Sequence, residues 1–144
     1  MSGKKSARFF LDTNILIYSF DAREPAKRDK AQELIEQALE SGAGAISWQV
    51  VQEFLNVALH KWEKAMLPAD SKEYLQTTLL PLCKIYPSSE IWSAALRISE
   101  ESQYRFYDSL IVASAIQSGA SILYSEDLQH GRRFGNLEIR NPSI

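Results

Sequence analysis

Four acidic residues, Asp12, Glu53, Asp108 and Asp127, occupy positions from which one fold could gather them. Asp12 follows the short apolar run Arg8-Phe-Phe-Leu11 and opens a polar Asp-Thr-Asn14. Glu53 shares a helical polar face with Gln49, Asn56 and His60. Asp108 opens the small and apolar run Asp-Ser-Leu-Ile-Val-Ala-Ser-Ala-Ile116, and Asp127 closes Ser125-Glu-Asp. Two carboxylates about 4 Å apart repel by roughly 4 kcal/mol at an effective dielectric of about 20, so a gathered set calls for a cation. An all-oxygen site suits Mg²⁺ or Mn²⁺, which keep several waters and also bind phosphate. Zinc is disfavoured, because His60 and His130 are the only histidines and Cys83 the only thiol. The chemistry that fits is metal-assisted attack of water on a phosphodiester. Each acid also has an ordinary structural use: Asp12 in a turn, Asp108 as a helix cap, Glu53 as a solvated charge, Asp127 as cap of a short Leu128–His130 segment. The set, in this order, points to a site.

The elements that must position these acids are legible in outline. Phe9 to Leu11 reads as a strand, followed by a turn and a short helix. Ala31, Leu34, Ile35, Ala38 and Leu39 recur at helical spacing between Pro25 and Gly42, which punctuate a helix over 25–41. Gly44–Trp48 predicts a strand, with Ser47 capping a helix whose apolar stripe runs from Val50 to Trp62. A further helix runs from Pro68 to about Leu80, Lys84–Tyr86 is a weak strand, and Ser88 or Ser89 caps a helix through Ile98. A buried helix opening at Asp108 and ending at Gly119, and strands over Ser121–Tyr124 and Leu137–Ile139, complete the pattern. Alternation of strands and helices predicts an α/β, three-layer α/β/α sandwich with a mostly parallel central sheet. Ligands of such sheets bind beyond the carboxyl ends of the strands, where Asp12 and Asp127 fall.

The 144 residues suit a single domain over 8–144, with 1–7 as a flexible N-terminal extension. A lone cysteine excludes an internal disulfide, and Cys83 beside Leu82 and Ile85 reads as a core residue. No apolar run reaches membrane-spanning length and Met1–Ser6 has no signal-like apolar core, so a cytoplasmic place is expected. The net charge of −2 is unusual for a nucleic-acid binder, but without the four acids 14 of the 18 remain against 16 bases. The acid excess therefore lies in the candidate site, where a cation would reverse the local sign.

Phe10-Leu-Asp-Thr-Asn14, Gln52-Glu-Phe54, Tyr107-Asp-Ser-Leu-Ile-Val-Ala-Ser-Ala115 and Ser125-Glu-Asp-Leu-Gln-His-Gly131 resemble, in order, the four motifs of PIN-domain nucleases. The likeness runs from about Phe9 to the C-terminus, and at this length is strongest to the VapC-type toxins of type II toxin–antitoxin pairs. It implies an Mg²⁺- or Mn²⁺-dependent endoribonuclease, usually a homodimer, restrained by a small antitoxin, with transfer RNA as a substrate of the family. It makes Asp12 and Asp108 the chief metal ligands, completed by Glu53 and Asp127 and supported by Asn14 and Ser125, where relatives often carry Thr. Glu126, beside Asp127, is a competitor for its role. Products with 5′-phosphate and 3′-hydroxyl ends follow from the resemblance.

Arg132, Arg133 and His130 are the best-placed groups for an RNA backbone, against an ordinary use in a solvated loop or surface ion pairs, and Arg105 and Tyr107 offer a cation and a ring beside Asp108, with core packing the commoner use of Tyr107. Tyr18, Phe20 and the first helices offer an apolar groove for an antitoxin. Two rivals stand beside this reading. A phosphatase with Asp12 as nucleophile suits an Asp after the first strand, but Asp-Thr-Asn lacks the second aspartate of haloacid-dehalogenase-like enzymes. A catalytically silent PIN-like binding module would have been free to lose its clustered acids.

Overall fold

A computed structural model describes residues 7–144. Residues 1–6 of the expected N-terminal extension lie outside the described residues. The elements run β1 (Phe9–Leu11), α1 (Thr13–Tyr18), α2 (Pro25–Ser41), β2 (Gly44–Ser47), α3 (Trp48–His60) and α4 (Pro68–Tyr74). A π-helical turn over Leu75–Leu79 leads into the single turn α5 (Leu80–Leu82), followed by β3 (Cys83–Ile85), α6 (Ser89–Ser102), α7 (Phe106–Gln117), β4 (Ile122–Tyr124), β5 (Arg133–Phe134) and β6 (Leu137–Arg140).

The six strands form one sheet in the order β3-β2-β1-β4-β6-β5. All neighbours are parallel except the β5–β6 hairpin. Every residue of β1 and β2 is buried, as central parallel strands with helices on both faces require. Phe10, Leu11, Ile46, Leu123 and Ile139 from the strands meet Ile15, Leu16, Val50, Phe54 and Leu79 from the helices in one core. The chain leaves β1 towards β2 and β3 and later returns to its other side as β4, so the reversal of strand order lies at β1 and β4. Crevices at such reversals are where these sheets bind ligands.

Local chemistry explains most boundaries. Pro25 starts α2, and Gly42 ends it in the left-handed region at φ 70°. Gly44 lets α2 lie directly on β2, since a Cβ there would sit 2.8 Å from Ala38 Cα. Ser47 and Ser88 cap α3 and α6 by accepting from Val50 N and Ile91 N.

Other boundaries differ from the expectations. The helix predicted to stop near Leu80 instead widens into the π turn, where Leu80 N bonds Leu75 O. Pro81 lacks an N–H and would clash with the carbonyl of Thr77 in a regular helix, so the wider turn accommodates it. Asp108 does not open its helix: α7 begins at Phe106, with Arg105 at the N-cap, and Asp108 sits in the first turn. No helix forms over Leu128–His130. Arg133 lies in a strand rather than a loop. Among the described residues no helix is long and apolar enough to cross a membrane.

Candidate active site

Asp12 follows β1 directly. Its amide bonds Tyr124 O at 3.0 Å, so the β1–β4 pairing runs one residue past both strands and brings Asp12 beside Ser125. The Asp12 carboxylate is 8% exposed and accepts from Thr13 N at 2.7 Å and Ser125 Oγ at 2.8 Å. Ser125 is fully buried, and its oxygen also accepts the amides of Asp127 and Leu128 at 3.2 and 3.1 Å. One hydroxyl thus orients Asp12 and folds the loop that carries Asp127. Asn14 completes this half: Nδ2 donates to Asp127 Oδ2 at 3.2 Å and Asp12 Oδ2 at 3.3 Å, while Oδ1 accepts from Glu126 N.

Glu53 enters from α3, on the second turn. Thr13 Oγ1 donates to one of its oxygens at 2.5 Å and Gln49 Nε2 to the other at 3.0 Å. The same Gln49 nitrogen donates to Tyr107 O at 3.1 Å, the carbonyl of the peptide that joins Tyr107 to Asp108. Asp108 is half-buried on the first turn of α7.

Burial and mutual repulsion set the electrostatics. Asp12 is pushed from 3.8 to about 6, first by burial, against the pull of its bonds from Ser125 and Thr13, with Glu53 and Asp127 adding to the rise. Burial also raises Asp108; Arg105 opposes that rise, and Asp127 and Glu53 reinforce it. Each of the two raised acids therefore feels the charge of Glu53 and Asp127, and the four occupy one electrostatic site. Among the described residues no three His, Cys, Asp or Glu side chains stand close enough to enclose an ion alone. The donor set nonetheless fits Mg²⁺ or Mn²⁺: it is all oxygen and carries an uncompensated buried charge. Such an ion needs only one or two direct carboxylates, keeping water and substrate oxygens in its other positions.

The remaining predicted residues lie elsewhere. Glu126 is turned away from the acids, pairing with Lys27 at 3.2 Å and accepting from Ser143 Oγ at 2.5 Å. His130 Nδ1 accepts from Asn141 N at 2.9 Å. Arg132 stacks on Tyr104 and Phe134, 5.1 Å from each ring centre, and Arg133 faces Glu138 at 3.7 Å. Tyr107 is 65% exposed, not a core residue. Thr13 and Gln49 had no role assigned from sequence; the i, i+4 spacing of Gln49 and Glu53 is the signal that could have found one of them.

No curated protein sequence matches the chain. Solved structures share its fold. A toxin–antitoxin complex from Klebsiella pneumoniae superposes with TM-score 0.66 at 20% identity, over 95% of this chain and 98% of that one. VapBC2 from Rickettsia felis, bound to a DNA fragment from its promoter, gives 0.64 at 23% identity over 92% and 97%. VapBC-1 from nontypeable Haemophilus influenzae gives 0.65 at 18% identity over 94% and 98%. The PIN domain model matches residues 9–133, a span that holds β1, the reversal point and all four acids, and the chain accordingly belongs to the PIN domain family.

Proposed function

We propose that this chain is an Mg²⁺- or Mn²⁺-dependent endoribonuclease and the toxin of a toxin–antitoxin pair. The observation that carries the reading is Asp12: a buried carboxylate, raised to about 6, with Glu53 and Asp127 adding to its burden. A divalent cation bound there would relieve that repulsion and supply Lewis acidity towards phosphoryl oxygen and water. Asp12, Asp108, Glu53 and Asp127 would hold it. Asn14 and Ser125 keep the first and last of these turned to the site, and Glu53 or Asp127 takes the proton released by the attacking water. Asp12 is too fully engaged by donors to serve as a free nucleophile, which disfavours the phosphatase reading.

The toxin role is supported by the likeness to toxin–antitoxin complexes, together with an exposed aromatic, Phe20, that an antitoxin would cover. Phe20, 43% exposed, packs 5.2–5.8 Å from the rings of Trp62, Tyr74 and Phe54. A second face, formed by Trp48, Tyr86, Trp92 and Tyr107, is aromatic, exposed and without charged lining, the composition of a protein interface core. That supports pairing of two copies. Action on RNA, with transfer RNA as the first substrate to try, belongs in the cytoplasm. The bases Arg132, Arg133 and His130 are offered to the RNA backbone from the β5 side, though both arginines already have partners within the chain.

The test is cleavage of a small-RNA pool with Mg²⁺, Mn²⁺ or EDTA by the parent chain and its Asp12→Asn and Asp108→Asn forms, with cut ends mapped and the mass of the same preparation measured. Metal-dependent cuts that leave 5′-phosphates and disappear in both variants are expected, from a particle of twice the chain mass. Cutting in EDTA with cyclic phosphate ends would sink the nuclease scheme. A single-copy mass would sink the pairing.

A further inference from the structure

We infer that Gln49 is a positioning residue that sets the spacing between Glu53 and Asp108; the inference rests on the metal-dependent reading above. Its two amide hydrogens go to two different elements. One meets Glu53 Oε2 at 3.0 Å within α3, and the other crosses to Tyr107 O at 3.1 Å in the first turn of α7. The gripped carbonyl belongs to the peptide unit that carries Asp108. A glutamine on a helix surface that merely met its i+4 neighbour would bond Glu53 alone.

The orientation of the carboxamide is dictated chemically. Both partners are acceptors, so only the NH₂ end can face them. The other end, Oε1, is buried and has no donor. Beside this contact α3 and α7 border a cleft of about 220 Å³, to which the end of β3 and the start of α6 add Ile85, Tyr86, Ile91 and Trp92. Gln49 therefore ties the two helices at the edge of this cleft. Since Thr13 holds the second oxygen of Glu53, the carboxylate is fixed between the Asp12 side and the Asp108 side of the site.

Gln49→Met keeps the length and removes both donors; Gln49→Ala removes the side chain at the mouth of the open cleft and serves where the first variant does not fold. Gln37→Met is the control, since Gln37 meets only Glu33 one turn away on the surface of α2, at 3.5 Å. Three quantities are measured on each: Mn²⁺ affinity from the electron paramagnetic resonance of free Mn²⁺, kcat and KM for RNA, and the melting temperature in EDTA. Both Gln49 variants should bind Mn²⁺ about tenfold more weakly and lose about 10- to 100-fold in kcat, the range for residues that orient metal ligands. KM for RNA and melting in EDTA should stay near parent values, and Gln37→Met should match the parent throughout. Parent-like Mn²⁺ affinity and kcat in the Gln49 variants, while Asp12→Asn loses both, would overturn this inference and leave the nuclease reading intact. A lowered melting temperature with unchanged Mn²⁺ affinity and kcat would also overturn it, marking a helix tie only. A parent chain that neither binds Mn²⁺ nor cuts RNA would overturn both together.

Discussion

The two halves of the acidic site are held by different means. Asp12 and Asp127 are fixed by Asn14, on the first turn of α1 just past β1, and by Ser125, just past β4, and Asp12 and Ser125 are buried. Glu53 and Asp108 stand on separate helices, and the carboxamide of Gln49 spans the gap between them. The first half derives its geometry from the sheet, whose pairing leaves little freedom. The second depends on how two helices sit, so it can be retuned by one side chain. In the first half the side chains that donate to the carboxylates are placed by the pairing of β1 with β4; in the second, Gln49 reaches from one helix to the other.

If the sheet-borne half anchors the ion, Asp12→Asn should reduce RNA cleavage by at least about a thousandfold, about 4 kcal/mol in the barrier, and Glu53→Gln by only about 10- to 100-fold. Turnover measured at saturating Mg²⁺ gives the ratio, and an equal or reversed order would break the contrast. The next effect concerns the cost of burying Asp12. Its folded value near 6 lies above the ordinary 3.8, so the folded chain retains a proton that the unfolded chain releases. Stability from this group is full below about pH 4 and falls as pH rises through about 6, by at most about 3 kcal/mol. In EDTA, Asp12→Asn should therefore melt higher than the parent at pH 8 and lose that advantage towards pH 4. A constant difference across that range would show that burial does not govern Asp12. Smaller still, Ser125→Ala removes a hydroxyl that serves Asp12 and two amides and should lower stability by about 1–3 kcal/mol in denaturant unfolding, whereas Thr13→Ser, which keeps its hydroxyl, should change little.

Much of this was legible in the sequence because it is written locally. Pro25 and Gly42 bracket α2, Ser47 and Ser88 cap their helices, and an apolar run stopping at Asp12 marks a strand end. The mostly parallel character of the sheet followed from alternation, whereas the order of its strands did not. The start of α7 was misplaced because Arg105 is not a preferred capping residue, while Asp108, two residues into the helix, is of the capping type. The β5–β6 hairpin escaped because β5 is only two residues long; its signal, Gly135-Asn136 between Phe134 and Leu137, was present. The reach of Gln49 to Tyr107 and of Thr13 to Glu53 could not be assigned from pattern, since those partners lie on other elements. The bond of Thr13 to Glu53 spans 40 positions, and no periodicity encodes such a pair.

The sheet's two borders, β3 and β5, are three and two residues long. A border strand presents unpaired amides and carbonyls that can template pairing with another chain, and shortness and charge are the usual defences. Lys84 on β3 already reaches back to Gly42 O and Gly44 O at 2.6 and 3.0 Å, and β5 carries Arg133. Each border thus offers a newcomer little ladder and a positive charge. Accumulated copies of this chain therefore find little edge on which to extend one another's sheets.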